Sequence, residues 1–299
     1  MTAIVLHAEE EFDPGLPRST LARMLGDVSA AGFDALSLGL LHVGRDEGKF
    51  DESWVIAGEL RYNDTLLFSD GRYVGPPDWP DTLARAAGTQ SLRIALVFGG
   101  AGHQDFRAIR LLHARHGAAF VDSGLRRNLI ALRDAMPWLD SIELCCEDTY
   151  DHDSFVAFAS LLADLGFDLA LRPSMFREFW VTAFAALHAR HPGRVRRCHL
   201  QCHAKGSGNV PGDWATAFES AAPGFDASGF IIAAEWAENM PQEIRESMRG
   251  HAREARLGGG AIWSLERIIA NGAEPARYAD AIRAGLLDDE RRSLSHTEA

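Results

Sequence analysis

Basic charge is in short supply in this 299-residue chain: 30 lysines and arginines stand against 42 aspartates and glutamates, a formal net charge of −12. A surface of that sign repels phosphate backbones and anionic headgroups, so neither nucleic acid nor a membrane is expected as a partner. Long hydrophobic runs are missing as well. No stretch approaches the roughly 20 apolar residues of a bilayer-spanning helix. The opening MTAIVLHAEEEF turns acidic and has no basic stretch of the kind a secretory leader carries. Cysteine is sparse. Cys145 adjoins Cys146, and Cys198 precedes Cys202 by four, with no C-x-x-C pair among the four. That pattern excludes a disulfide scaffold and leads us to expect reduced thiols in a cytoplasm. Neither G-x-G-x-x-G, nor a P-loop, nor H-E-x-x-H occurs, and no internal repeat or low-complexity tract is present.

What is there reads as an ordinary folded chain, 46% apolar and 24% charged. Apolar segments suited to strands recur at Ala3–Ala8, Ala35–Leu41, Leu92–Phe98, Ser141–Glu147, Asp168–Leu171, Arg197–His203, Phe230–Trp236 and Ala261–Leu265. Helical spacing fills the intervals, as in Thr20–Ala31 with Leu21, Met24, Leu25 and Val28. Phe106–His116, Asp153–Leu165, Phe176–His191, Pro241–Leu257 and Asp280–Leu287 follow the same pattern. Eight βα units in one chain of this length predict a single (β/α)8 barrel over residues 1–287, an α/β fold. Residues 59–80 break the alternation. Asn63-Asp64 and Asp70-Gly71 are turn signals between short apolar runs, which predicts a small β-hairpin insertion between the second and third barrel strands. The polar end, 288–299, reads as a flexible tail.

Barrel chemistry belongs at the C-terminal ends of the strands, and the period of two along a strand says which side chains enter the lumen. Along 141–147, Ile142 and Leu144 share the outward face, so Ser141, Glu143, Cys145 and Glu147 face the axis. At about 3.3 Å per residue, Glu143 and Glu147 lie roughly 13 Å apart. Glu147 is thereby placed at the mouth and Glu143 in the floor. Cys145 is either a site thiol or an inert packed one. His199, Gln201 and His203 alternate with Leu200 and Cys202 and are expected to point inward, with Lys205 in the loop beyond. Glu235 is placed at the mouth of the seventh strand by the same count. Trp263 in the eighth is either core or an apolar floor for a sugar ring. Gly99, Gly100 and Gly102 let the backbone turn tightly or approach a ligand. A metal would draw on His203, Glu235, Glu147 or His7. With no ligand motif present, neither metal nor cofactor is expected, and His203 reads as a polar substrate contact.

Gly99-Gly100 closing the third strand, Asp105-Phe106 after it, Asp140 to Glu147 along the fourth strand and Gly260 to Trp263 in the eighth form a set. The set resembles the S-x-G-G strand, the aspartate–phenylalanine pair, the D-x-x-D-x-D-x-E strand and the closing tryptophan of glycoside hydrolase family 18. That family comprises chitinases and endo-β-N-acetylglucosaminidases, and the resemblance spans roughly residues 3–285. The insertion is similar to an elaboration of the endoglycosidase branch, and His203 falls near a family tyrosine. The resemblance implies a barrel acting on an N-acylated amino sugar, small or oligomeric, with Glu147 as general acid. Val97 stands where the motif has serine, Glu143 where it has its middle aspartate, and Cys145 where it has the aspartate that orients the 2-acetamido group. A neutral thiol does not stabilise a developing oxazolinium cation as a carboxylate does, so efficient chitin hydrolysis is not expected. Three readings stay open. The first is an intracellular hydrolase of this kind. The second is a barrel repurposed for small-molecule biosynthesis as a lyase, isomerase or cyclase. The third is a non-catalytic carbohydrate-binding protein.

Overall fold

The computed structural model describes residues 2–44, 49–50, 53–54, 57–89, 92–139, 141–203 and 208–297, with side chains up to Leu287 except at 49–50 and 53–54. Asp140 and Lys205 therefore lie outside the described residues.

The chain opens with β1 (Ala3–Ala8), α1 (Arg18–Ala30) and β2 (Ala35–Val43). A pair of two-residue strands, β3 (Lys49–Phe50) and β4 (Ser53–Trp54), precedes the insertion β5 (Leu60–Tyr62), β6 (Thr65–Ser69) and β7 (Arg72–Tyr73). Then come α2 (Asp78–Thr89), β8 (Arg93–Phe98), α3 (Asp105–His116), α4 (Gly124–Ala135), β9 (Ser141–Leu144), α5 (His152–Asp164) and β10 (Asp168–Leu171). The rest is α6 (Arg177–Arg190), β11 (Val195–Gln201), α7 (Pro211–Ala221), β12 (Ile231–Trp236), α8 (Pro241–Glu254), β13 (Gly259–Trp263), α9 (Leu265–Ala270) and α10 (Pro275–Thr297).

The strands β1, β2, β8, β9, β10, β11, β12 and β13 pair in parallel in that order, and β13 returns to β1, closing a (β/α)8 barrel. The insertion is antiparallel to β2, with Leu41 opposite Tyr62. Its Asp70-Gly71 turn has φ of 48° and 73°, which are the two positive values a type I′ hairpin turn requires. Asn63 ties the hairpin to the barrel rim. Its Oδ1 accepts from Leu40 N at 2.8 Å and its Nδ2 donates to Glu9 O at 2.6 Å.

Helix ends follow local chemistry. Asp151 caps α5 by accepting from Ser154 N at 3.1 Å, and Ser123 caps α4 by accepting from Arg126 N at 3.1 Å. Outward residues of alternate strands pack on the helices. Phe184 contacts Phe218, Phe225 and Phe230 with ring centroids 4.7–5.2 Å apart, and each such ring adds about 1.5–3 kcal/mol by leaving water.

Four strand ends differ from the sequence expectation: β2 runs on to Val43 past Leu41, β9 stops at Leu144 instead of Glu147, β11 at Gln201 instead of His203, and β13 at Trp263 instead of Leu265. The residues beyond form the βα loops. Helices α2, α4, α7 and α9 were not anticipated, and the stretch read as a tail continues as α10 to Thr297.

Barrel closure depends on one absent methyl group. A Cβ on Gly259 would lie 2.1 Å from Ala3 O of the paired strand β1, a backbone atom with no freedom to move aside. Gly259→Ala is expected to cost roughly 1–3 kcal/mol or more through overpacking, read as a lowered urea midpoint. An unchanged midpoint would show that β1 and β13 separate without penalty.

Candidate active site at the barrel mouth

The lumen is lined by mostly small apolar side chains at the bottom and by polar ones in the middle. Ala3, Val5, Ile232, Ala234 and Ala261 form an apolar cluster, with Ala35 packed against it. Above it lie His7, Ser37, Glu143 and His199, all buried, where most barrels of this class hold Val, Ile or Leu. Register puts Ser37 beside His7 and Val97 beside Glu143. Ser37 Oγ donates to Glu143 Oε1 at 2.5 Å. The other carboxylate oxygen, Oε2, lies 3.5 Å from His199 Nδ1 and 3.7 Å from Arg172 Nε. Glu143 is thus a floor residue, as its position along the strand suggested.

Glu147 stands in the loop after β9, partly exposed. Its Oε1 accepts from Gln201 Nε2 at 2.8 Å and from the Cys145 thiol at 3.3 Å. Cys145 clusters with Leu40 and Val97 in the lumen, while Cys146 joins the outer core. The alternation read along this segment is therefore the one adopted. Gln201 enters the site as expected. His203 stacks on Trp236 with centroids 4.5 Å apart, and Trp236 meets Trp263 edge-on at 6.1 Å. Both His203 nitrogens are buried without a hydrogen bond, and burial lowers its pKa. The three rings form one wall of the mouth. Exposed apolar side chains of the neighbouring loops, Met175, Phe176 and Met240, extend the rim.

Glu235 is a correction. It turns outward, and its Oε1 lies 2.8 Å from Nε2 of His251 on α8. Trp236 faces the wall of the mouth in its place. The glycines are a second adjustment. A Cβ on Gly99, where φ is 77°, would meet Cys145 O and Phe106 Cε2 at 2.7 Å. A Cβ on Gly100 would meet Leu40 Cδ1 at 2.7 Å. Close packing of protein against protein thus accounts for these two glycines. Asp105 buttresses the same corner, accepting from Val43 N at 2.8 Å and sitting 3.0 Å from His42 Nδ1.

The residue that the sequence reading missed is Arg172. It follows the last residue of β10, is 4% exposed, and lies over Trp263 with 5.7 Å between guanidinium carbon and ring centroid. Burial by itself lowers its pKa. Cys145, Glu143, Glu9 and Glu147 in its field outweigh that and raise it. Parity with Asp168 and Ala170 was the available signal. Glu9, beyond β1, carries a carboxyl pushed up by burial and pulled down by Arg172.

No protein-family profile matches the chain, and no curated protein matches it in sequence. Solved structures match in fold. A GH18 chitinase from Pseudoalteromonas aurantia is 13% identical, with 94% of this chain and 100% of that chain covered at a TM-score of 0.59. The catalytic domain of a GH18 chitinase from the fern Peteris ryukyuensis is 13% identical over 95% and 98%, at 0.56. The spore cortex-lytic enzyme SleL of Bacillus megaterium is 12% identical over 95% and 74%, at 0.56. At such identities the likeness shows the barrel fold that this chain shares with those enzymes and carries no active-site motif with it.

All four cysteines are buried, and burial pushes every thiol up. Because the thiolate is the reactive form, the native protein is expected to react with none of its four thiols within minutes of exposure to a disulfide reagent at pH 8. All four should react after denaturation. Fast native labelling of Cys145 would show an open, ionised thiol in the mouth.

Proposed function

We propose that the chain is a glycoside hydrolase of the family 18 type, acting on an N-acylated amino sugar or its oligomer, with Glu147 as the proton-transfer residue. Gln201 and Trp263 line the sugar site and His203 contacts the substrate, while Gly99, Gly100 and Glu143 support that site from beneath through packing and the lumen floor. The observation that carries this reading is Glu147 itself. It is a partly buried carboxylate after β9, held by Gln201 at 2.8 Å, and the ring wall of His203, Trp236 and Trp263 belongs to the same mouth. An apolar aromatic wall beside an acid suits a sugar ring, which offers C–H faces to the aromatic planes and oxygen atoms to the acid. A positioned general acid contributes about 10²–10⁴-fold in rate.

The second carboxylate of the usual pair is the weak point. Cys145 occupies the position two before Glu147, and the positive charge of Arg172 acts on Cys145 and Glu147 there. Losing one preorganised electrostatic partner costs about 10²–10³-fold. That observation favours a second reading, in which the barrel runs a non-hydrolytic step of small-molecule biosynthesis on a substrate carrying negative charge. Under either reading the barrel mouth is the site.

Turnover of nitrophenyl diacetylchitobioside by the wild type is expected to be slow, at least 100-fold slower again in Glu147→Gln, and faster in Cys145→Asp. Activity that survives Glu147→Gln removes Glu147 from the mechanism. Absence of turnover in both the wild type and Cys145→Asp hands the site to the second reading.

A further inference from the structure

We propose that His7, His199 and Glu143 hold a divalent transition-metal ion in the floor of the barrel. Each residue offers one donor atom, and the three donors lie within 4.8 Å of one another. All three side chains are more than nine-tenths buried, at 1%, 6% and 2% exposure. None of the donor atoms has a hydrogen bond: His7 has neither ring nitrogen engaged, and His199 Nδ1 and Glu143 Oε2 lack one, Oε2 having the looser approaches of His199 at 3.5 Å and Arg172 at 3.7 Å. An unsatisfied buried polar group costs about 1–3 kcal/mol, so three such donors in one spot call for a common partner. Nothing in the fold forces them there, since aliphatic residues fill this layer in other barrels.

The surroundings fit a metal site in three further respects. Ser37 donates to Glu143 Oε1, which fixes the carboxylate and leaves Oε2 for the ion, the arrangement that orients metal-binding carboxylates. Two histidines and one carboxylate suit zinc, iron(II) or cobalt(II) better than magnesium or calcium. An entry path exists in the cavity of about 830 Å³ that runs from Arg93 and Asp168 at the N-terminal rim, past Ala95 and Ala170, to Glu143 and His199. Arg172 is an opposing charge 3.7 Å from Glu143, and Arg197 and Arg93 also act on His199. Three carboxylates, those of Glu9, Glu143 and Glu147, lie in the field of Arg172, so a dication restores balance in the lumen instead of adding to an excess of positive charge.

The second histidine–carboxylate group, His42, His103 and Asp105, serves as the internal control. Both Asp105 oxygens are engaged there, with His42 Nδ1 and Val43 N, and the two imidazoles stack face to face at 4.0 Å. This departs from the expectation of a metal-free protein drawn from sequence.

The experiment is titration of the chelator-treated full chain with Zn²⁺, and separately with Co²⁺, followed by elemental analysis and visible absorption. It reads metal directly and is independent of any glycosidase assay. One tightly held equivalent is expected, with cobalt d–d bands of a nitrogen–oxygen site and a melting temperature that rises with metal. His7→Asn and His199→Asn should each lose at least 100-fold in affinity. Ser37→Ala, which keeps every ligand, should lose about 10–100-fold and remain folded. His103→Ala should bind as the wild type does. Overturning results are no stoichiometric binding by the wild type, binding unaffected by the floor substitutions, or binding abolished by His103→Ala.

Discussion

Arg172 lies in the barrel lumen at 4% exposure, and a guanidinium taken out of water costs several kcal/mol unless carboxylates face it. The arrangement of the site follows from that demand. Glu143 comes within 3.7 Å from the floor, and Glu147 and Glu9 face it from the rim. Because those carboxylates answer to Arg172, each in turn needs a fixed geometry. Ser37 anchors Glu143, Gln201 anchors Glu147, and the insertion hairpin grips the Glu9 carbonyl through Asn63. Buried charge networks of this kind contribute more to specifying one arrangement than to net stability.

The same demand shapes the barrel mouth, where a buried cation and a thiol raised by burial stand beside Glu147. The aromatic wall of His203, Trp236 and Trp263 supplies a binding surface that either of the proposed reactions would use.

The barrel and the faces of several strands are legible in the chain itself. Segments with clean alternation, such as Ser141 to Leu144 between apolar Ile142 and Leu144, gave the correct faces because one face is apolar and the other is not. Along β12 the run Ile231-Ile232-Ala233-Ala234 is apolar on both faces, so parity had no anchor and Glu235 was assigned to the wrong side. Arg172 escaped because it lies one residue past the apolar segment that defined its strand. The pairing of Ser37 with Glu143 joins residues 106 apart, which no local pattern reveals. Helix α7 was missed because its buried face is only Trp214 and Phe218 behind an N-terminal proline.

Isothermal titration of diacetylchitobiose into Glu147→Gln, beside the same variant carrying Trp263→Ala, tests most directly whether the aromatic barrel mouth is the ligand site. The account predicts saturable one-to-one binding that weakens at least tenfold when the Trp263 ring is removed, a loss of about 1.4 kcal/mol. Equal binding by the two proteins would contradict it, because the sugar would then rest on some other surface.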